Sequence, residues 1–583
     1  MSYIIGISAF YHDSSASLLK DGEIIAASQE ERFTRKKHDA SFPKKAIDFC
    51  LEQANISIED VSLIVFFEKP FVKFERIIDS LKNTVPYGFL FFKKAIQSWI
   101  KIKLWIPSII KKELNYSGKI IFSEHHEAHA AGTFFTSPYK ESAIVTIDGV
   151  GEKVCITIGY GKDNFVKIIK EQFYPHSIGL LYSAFTQYCG FKINSGEYKL
   201  MGLAPYGKPI YKDKIINNLV TISEKAEVTL NMKYFSFDKG KTTINKLFCD
   251  FFGEPVRESE GEMTSFYCDI ASSIQSVIED FMLKLLIYAK EITSSNNVCL
   301  SGGVALNCKS NGEMLAGKVF ENIWVQPASG DSGASLGAAF VGHYNYLKNK
   351  RKILENNLNK QIYLGIGFSN LEIEKVLKKF KITYYKKEND DLLEIISEEL
   401  KNKKIIGCFQ GRSEFGPRAL GNRSILGSPL FEDMKKHINI KIKMREGFRP
   451  FTPVVIEEKM KEWFLIDKPS KYMLFTFKGK NKYKIPSCIH EDNTARVQSL
   501  HKEENQFLHS LISRFESKTG CPILINTSFN VRGEPIVNTP IDALQCFFNT
   551  GIDVLMLENF IIFKEENKTI SDKLIKDIDF ELD

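Results

Sequence analysis

The chain is poor in the features that would place it outside a cell, in a membrane or on a nucleic acid. Its eleven cysteines are odd in number and scattered, with no CxxC pair. That argues against a disulfide framework and fits reduced thiols in a cytoplasm. No apolar run reaches the roughly 20 residues that a membrane span requires. The opening Met1-Ser2-Tyr3-Ile4-Ile5-Gly6 has no charged stretch ahead of an apolar one, so no secretory leader is expected. A formal charge of +7 is small for 583 residues. Any basic site must therefore be local, and a nucleic-acid partner is not implied. Low-complexity tracts, coiled-coil heptads and short repeats are absent as well.

What remains is an ordinary globular composition, 44% apolar and 26% charged, on a chain too long for one core. Two or more domains are expected. The best boundary lies at 344–360, where Lys and Asn take over in Tyr346-Leu347-Lys348-Asn349-Lys350-Arg351-Lys352 and Asn356-Asn357-Leu358-Asn359-Lys360. Domains of 1–350 and 351–583 follow. Residues 69–114 are aromatic and basic, with Phe89-Leu90-Phe91-Phe92-Lys93-Lys94 and Trp99-Ile100-Lys101-Ile102-Lys103-Leu104-Trp105. A surface-lying amphipathic helix is one reading of them. Helices packed over a sheet is the reading favoured here, with no stable membrane insertion.

The first domain reads as α/β. A strand over 3–9 turns back through His12-Asp13-Ser14-Ser15, and Asp21-Gly22 signals a two-residue hairpin before the strand 23–28. The order recurs at 142–170: a strand to Ile147, the loop Asp148-Gly149-Val150-Gly151, a strand 154–160, the loop Gly161-Lys162-Asp163-Asn164 and a further strand. A duplicated α/β domain with a ligand between its halves is expected. A helical pattern over 265–293 leads to a strand at 297–300, then Ser301-Gly302-Gly303-Val304 and a helix from about 305. A second glycine cluster, Ser329 to Gly337, follows a strand at 323–325. Small residues there let a helix begin close to a ligand, with its amides toward an anion; tight helix–strand packing is the plainer alternative.

Chemistry concentrates in Ser123-Glu124-His125-His126-Glu127-Ala128-His129. His125 and His129, spaced i, i+4, share one face of a helix, and Asp148 closes a β-branched run nearby in sequence. Asp331, flanked by glycines after a strand, adds a second carboxylate. Two imidazoles and two carboxylates suit a divalent cation with positions left open; His126 should face elsewhere. His12, beside Asp13, is either a local turn or a residue that orients or protonates a ligand.

The second domain carries grouped basic residues among Phe, Pro and Gly. They are Arg412, Arg418 and Arg423 within 411–424, Lys443, Arg445 and Arg449 within 443–453, Arg496, and Asn526, Ser528, Asn530 and Arg532 within 525–534. Such a set suits phosphate or another small anion. RNA could use the same residue types with Phe448 or Phe529 as stacking platforms, but a longer basic stripe would be needed.

Taken together, these motifs resemble the O-carbamoyltransferases of antibiotic and nodulation-factor biosynthesis, the NodU/CmcH type. The resemblance runs from Gly6-Ile7 and Phe33-Thr34-Arg35-Lys36-Lys37-His38 through the histidine segment, Asp148 to Glu152, Asn194-Ser195-Gly196-Glu197-Tyr198-Lys199-Leu200-Met201-Gly202 and both second-domain blocks. It implies a duplicated ribonuclease-H-like (actin/sugar-kinase/Hsp70, Kae1-like) domain followed by a YrdC-like α/β domain. Lys443-Met444-Arg445 and Ser528-Phe529-Asn530 match the KxR and SxN signatures of the latter. The implied activity forms carbamoyladenylate from carbamoyl phosphate and ATP and transfers the carbamoyl group to a hydroxyl of a small-molecule acceptor.

By the same resemblance His125, His129, Asp148 and Asp331 hold a metal, iron first, with manganese or zinc as alternatives, and Mg²⁺ accompanies ATP. Gly302, Gly303 and Asn307 would meet the nucleotide, with Gly196 and Lys199 bordering it. Arg418, Arg423, Lys443, Arg445, Arg449, Arg496, Asn526, Ser528 and Asn530 would hold carbamoyl phosphate and the ATP phosphates. Among these, His12, Arg418, Lys443 and Arg449 are the residues expected to act in the chemistry. Competing readings are an enzyme of the tRNA threonylcarbamoyl-adenosine type and a nucleotide-gated binding protein without transfer. Acceptor identity is left open, as is a homodimer.

Overall fold

The computed structural model describes residues 2–239, 242–353, 359–480 and 484–568. Residues 354–358 of the Lys/Asn-rich boundary and 569–583 of the second expected domain lie outside them. The described residues form two compact units, one of 2–30 and 38–353, the other of 31–37 and 359–568.

The first unit holds two five-stranded sheets of the same order and direction. The first comprises β1 (Tyr3–Ser8), β2 (Ser15–Lys20), β3 (Glu23–Gln29), β4 (Val61–Phe66) and β5 (Lys119–Phe122), ordered β3-β2-β1-β4-β5. β1, β2 and β3 pair antiparallel, while β4 and β5 join parallel to β1. The second comprises β6 (Glu141–Ile147), β7 (Val154–Lys162), β8 (Phe165–Phe173), β11 (Asn297–Ser301) and β12 (Asn322–Val325), after a small ribbon of β9 (Val220–Ile222) and β10 (Val228–Leu230). β6, β7 and β8 are antiparallel, and β11 and β12 join parallel to β6. Central β6 is buried from Ser142 to Ile147, as expected of a continuous apolar strand covered on both faces.

Local chemistry sets the turns. Asp21 and Gly22 both take positive φ, 49° and 86°, the geometry a two-residue hairpin needs. β7 runs on to Lys162 and β8 starts at Phe165, so the second hairpin closes on Asp163-Asn164 alone, shorter than the loop at 161–164 expected from sequence. The helix Ser265–Thr293 feeds β11. A 3₁₀ turn, Gly303–Leu306, then precedes the helix Cys308–Ala316. Asn307 delays that helix beyond the expected start by accepting the Ser310 N–H at 3.0 Å as its N-cap.

Two helices meet over the sheets. His125–Thr136 follows β5 and opens with a capping box between Glu124 and Glu127. Asp331–Phe340 follows β12. They approach so closely that a Cβ on Gly337 would lie 1.8 Å from the Ala128 carbonyl oxygen. Only glycine fits there. Residues 69–114 hold the helices Pro70–Thr84, Phe89–Lys101 and Ile106–Leu114. Among the described residues, no helix is long and apolar enough to cross a membrane.

The second unit is a mixed α/β layer. Its strands are β13 (Tyr385–Lys386), β14 (Ile406–Phe409), β15 (Arg423–Gly427), β16 (Thr452–Ile456), β17 (Thr476–Lys478), β18 (Thr494–Arg496), β19 (Gln498–Leu500), β20 (Ile523–Ser528), β21 (Val554–Leu557) and β22 (Phe560–Phe563). Eight form one sheet, β13-β22-β21-β14-β15-β20-β16-β19, and β17 pairs with β18. The segment 31–37 belongs to this unit. Arg32 donates to the Gly416 carbonyl at 2.9 Å, and Arg35 donates to those of Ile536 and Pro535 at 2.7 and 2.8 Å.

Candidate metal centre and anion pocket

Two helix starts and one strand end bring four ligands to a point in the first unit. The histidines lie one turn apart at the head of His125–Thr136, Asp148 caps β6, and Asp331 begins the helix after β12. His125 Nε2 and His129 Nε2 are 3.1 Å apart, and each is 3.3 Å from Asp148 Oδ2. Asp331 Oδ1 lies 3.8 and 3.6 Å from them. Metal–ligand bonds of about 2.0–2.2 Å would set neighbouring ligand atoms about 3.0–3.5 Å apart, so the four converge as a cation requires. All four ligand atoms lie within 4.8 Å of one another. Asp331 Oδ2 is buried without a hydrogen-bond partner. The set fits a divalent metal.

The surroundings fix the rings. His129 Nδ1 lies 3.2 Å from Ser301 Oγ, which leaves Nε2 facing the cluster. Glu152, which sequence reasoning missed, accepts the backbone N–H of His125 at 2.9 Å and that of Lys69 at 2.8 Å, pinning the first turn of the helix. His126 turns away to Thr146 Oγ1 and the Val154 carbonyl. Burial alone would push His129 down, but hydrogen bonds and charge from Asp148 and Asp331 raise it to about 9. Burial would raise Asp148, yet hydrogen bonds from both histidines hold it well below the usual carboxylate range. The site attracts positive charge.

His12 stands beside it. Its Nδ1 lies 2.9 Å from Asp13 Oδ2 and its Nε2 3.4 Å from Asp331 Oδ2, while Asp13 Oδ1 meets His38 Nδ1 at 2.8 Å. Burial lowers His12, and the Asp331 charge and Asp13 hydrogen bond outweigh it to bring the ring to about 9. His12, Asp148, Gly303, Asn307 and Asp331 line one cleft with about 1070 Å³ of empty space, counting its mouth. Tyr11, Asp13, Tyr182, Ser183 and Glu197 line it too; no motif in the sequence singled out Tyr11, Tyr182 or Ser183.

The nucleotide candidates divide. Gly302, at φ 94°, would place a Cβ 2.1 Å from the Ile147 carbonyl oxygen, so glycine is required for β11 to end beside β6. Asn307 is an N-cap that also exchanges hydrogen bonds with Gln275. Gly196 and Lys199 lie at the helix Glu197–Leu203, whose Glu197, Tyr198 and Met201 supply the cleft lining.

In the second unit Lys443 is the centre. Its Nζ donates to Ser528 O, to Ser528 Oγ at 3.1 Å, and to Asn530 O and Oδ1 at 3.0 and 2.8 Å. Burial, then Arg445 and Arg449, hold it well below the ordinary lysine value; burial, then Arg449, lower Arg445 likewise. Arg445 Nε donates to Asn439 Oδ1 at 2.8 Å and its guanidinium lies 5.2 Å from the Phe451 ring centroid. Arg449 faces Glu446 at 3.8 Å, and Arg496 donates to Thr452 Oγ1 at 3.0 and 3.1 Å. Arg418 is half-buried in the loop before β15. Arg423 is fully buried against Phe409, its terminal nitrogens donating to the carbonyls of Gln410, Asn422, Ile366 and Gly411. It buttresses main chain. Asn526 is buried on β20, donating to Gln498 Oε1 at 2.7 Å and the Ala419 carbonyl at 3.3 Å.

Comparison with known proteins adds a family. The family model "Carbamoyltransferase N-terminus" matches residues 3–340, and "Carbamoyltransferase C-terminus" matches 397–564. The chain is 46% identical to an uncharacterized protein of Synechocystis sp. over 97% of each chain. It is 32% identical to the nodulation protein NolNO of Sinorhizobium fredii, covering 95% of this chain and 79% of that one. An uncharacterized protein of Methanocaldococcus jannaschii is 32% identical over 95% of this chain and 98% of its own.

Proposed function

The chain belongs to the carbamoyltransferase family, and on that premise we propose that it is an ATP-dependent O-carbamoyltransferase acting on a hydroxyl of a small-molecule acceptor. The second unit makes carbamoyladenylate, and the first transfers its carbamoyl group. The shared strand order of the first unit's sheets supports a duplicated ribonuclease-H-like domain of the actin/sugar-kinase/Hsp70 class, and the Lys443 cradle of Ser528 and Asn530 supports a YrdC-like second unit.

The observation that carries this reading is the buried positive charge around Lys443. Burial, then Arg445 and Arg449, hold Lys443 well below the ordinary lysine value, and burial, then Arg449 and Arg496, lower Arg445. Such a group stays charged only opposite an anion. Carbamoyl phosphate and the ATP phosphates are anions of the right kind. Hydrolytic loss of phosphate from carbamoyl phosphate leaves carbamate. Its oxygen attacks the ATP α-phosphorus, and pyrophosphate departs. Lys443, Arg445 and Arg449 offset the charge that builds on the phosphoryl oxygens and the leaving group, with Mg²⁺ accompanying ATP.

In the first unit, His125, His129, Asp148 and Asp331 would hold a divalent metal, which supplies Lewis acidity toward the carbamoyl oxygen and acidifies a nearby hydroxyl. Ser301 fixes the His129 ring and Glu152 the turn that carries His125. The acceptor oxygen attacks the carbamoyl carbon, AMP leaves, and a proton must be taken up. His12 is placed to orient the donor or to take that proton. With Asp331 committed to a cation, its pull on His12 weakens and the ring returns toward neutrality, the form that accepts a proton.

Pyrophosphate release from the purified protein with ATP and Mg²⁺, with and without carbamoyl phosphate and without acceptor, tests the proposal. Release that depends on carbamoyl phosphate supports the adenylate step. No dependence, in folded and metal-loaded protein, removes it.

A further inference from the structure

Residues 69–114 hold ten of the 78 Lys and Arg and three of the 71 Asp and Glu, so their +7 equals the charge of the whole chain and the remainder balances to zero. From Ser80 to Lys112 there is no acidic residue and there are seven lysines. The chain's basicity is a property of this one segment.

The segment folds as a helical hairpin with a defined tip. The rings of Phe71 and Phe74 sit 5.9 and 4.4 Å from that of Trp99, and Trp99 Nε1 donates to the Pro70 carbonyl at 3.1 Å. The end of Phe89–Lys101 thus lies against the start of Pro70–Thr84, and the connection 85–88 is at the opposite end, about 20 Å away at 1.5 Å per residue. The base is anchored. The backbone N–H of Lys69 donates to Glu152, Arg76 donates to the Gly151 carbonyl, and buried Lys103 pairs with buried Glu68.

The tip is apolar and open. Val85, Tyr87 and Phe89 are 64%, 79% and 58% exposed, and Pro86 beside them is exposed as well. Exposed Lys82, Lys93 and Lys94 flank these residues one helical turn away on either side. An aromatic and aliphatic point collared by lysines, with no carboxylate between Asp79 and Glu113, matches the chemistry of an anionic bilayer surface. Tyrosine and phenylalanine enter the boundary between headgroups and acyl chains while lysines reach the phosphates. A nucleic acid would favour a basic stripe tracking a backbone, whereas Val85 and Pro86 put aliphatic surface at the point itself.

We propose that the hairpin tip Val85–Phe89, with its collar of Lys82, Lys93 and Lys94, is a peripheral docking element for an anionic lipid surface. It holds the first unit at a membrane without spanning it. The inference is independent of the carbamoyl chemistry, because its readout is lipid binding.

The test is sedimentation of the full chain with vesicles of phosphatidylcholine alone and with about a third phosphatidylglycerol. Binding to the anionic vesicles only, weakened as salt shortens the electrostatic range, is expected. The exposed double variant Lys93→Glu/Lys94→Glu should lower partitioning at least about tenfold, and Tyr87→Ser/Phe89→Ser should do the same at unchanged net charge. Unchanged circular dichroism of both variants ties the loss to the surface. Equal binding of variants and wild type, no binding to either vesicle, or self-association that the tip variants abolish without any lipid dependence would each overturn the proposal.

Discussion

The Nε2 atoms of His125 and His129 face one another at 3.1 Å, with Asp148 Oδ2 3.3 Å from both. Two rings presenting the same edge to two carboxylates call for a shared cation. Purified protein should retain about one divalent metal per chain, read by elemental analysis. His129→Ala or Asp148→Asn should weaken retention by at least about tenfold, since loss of even an outlying partner of a metal ligand costs that much. Undiminished metal content in either variant would sink the assignment.

His12 lines the first unit's cleft, its Nε2 3.4 Å from Asp331 Oδ2, while the adenylate step is assigned to the second unit. His12→Asn should therefore leave carbamoyl-phosphate-dependent pyrophosphate release within about twofold of wild type while lowering acceptor carbamoylation by about 10²–10⁴. Equal loss of both activities would contradict the allocation.

Glu68 is buried between Lys73 and Lys103. Burial would raise it, but the two ammonium groups pull it to about 2. A depressed carboxylate stabilises the folded form above its unfolded value of about 4.3 and loses that contribution as pH falls toward the folded value. Lys103, lowered to about 8 by burial and Lys73, stays protonated through this acid window, so Glu68 is the titrating member. The linkage amounts to roughly 3 kcal/mol. Apparent Tm should fall between about pH 4.5 and 2.5, and Glu68→Gln should flatten that fall. A variant with the wild-type acid slope would be falsifying.

Gly337→Ala should be strongly damaging in the first unit, because its Cβ would meet the Ala128 carbonyl at 1.8 Å. A loss of about 1–3 kcal/mol or more is expected from forcing the two helices apart, with metal retention falling alongside, as both helices carry ligands. Gly447→Ala, where a Cβ meets nothing within 4 Å, is the control and should leave Tm unchanged.

Much of this was legible in the residues. The i, i+4 histidines needed only a helix, and the capping box of Glu124 and Glu127 starts one there. Asp148 follows the apolar strand β6 directly, and Asp331 opens the helix after β12, so a strand end and a helix start deliver them. Glu152 was not legible, because its role lies in accepting two backbone N–H groups that only the fold brings near. Arg423 looks in sequence like its basic neighbours, yet β15 buries it and its donors serve carbonyls. The run Phe33–His38 is visible as a motif, but nothing in its composition says that 31–37 serve the second unit. Asn307 shows how a side chain that favours a cap overrides apolar periodicity and shifts a helix start.

The membership of residues 31–37 in the second unit has a genetic consequence. Among the described residues the polypeptide passes between the units three times. No single cut in the gene yields both as intact pieces. A break near codon 350 would leave the second without the guanidiniums of Arg32 and Arg35 that hold Gly416, Pro535 and Ile536. An exchange that replaced the first unit as one stretch of gene would also replace the second unit's N-terminal strap, residues 31–37.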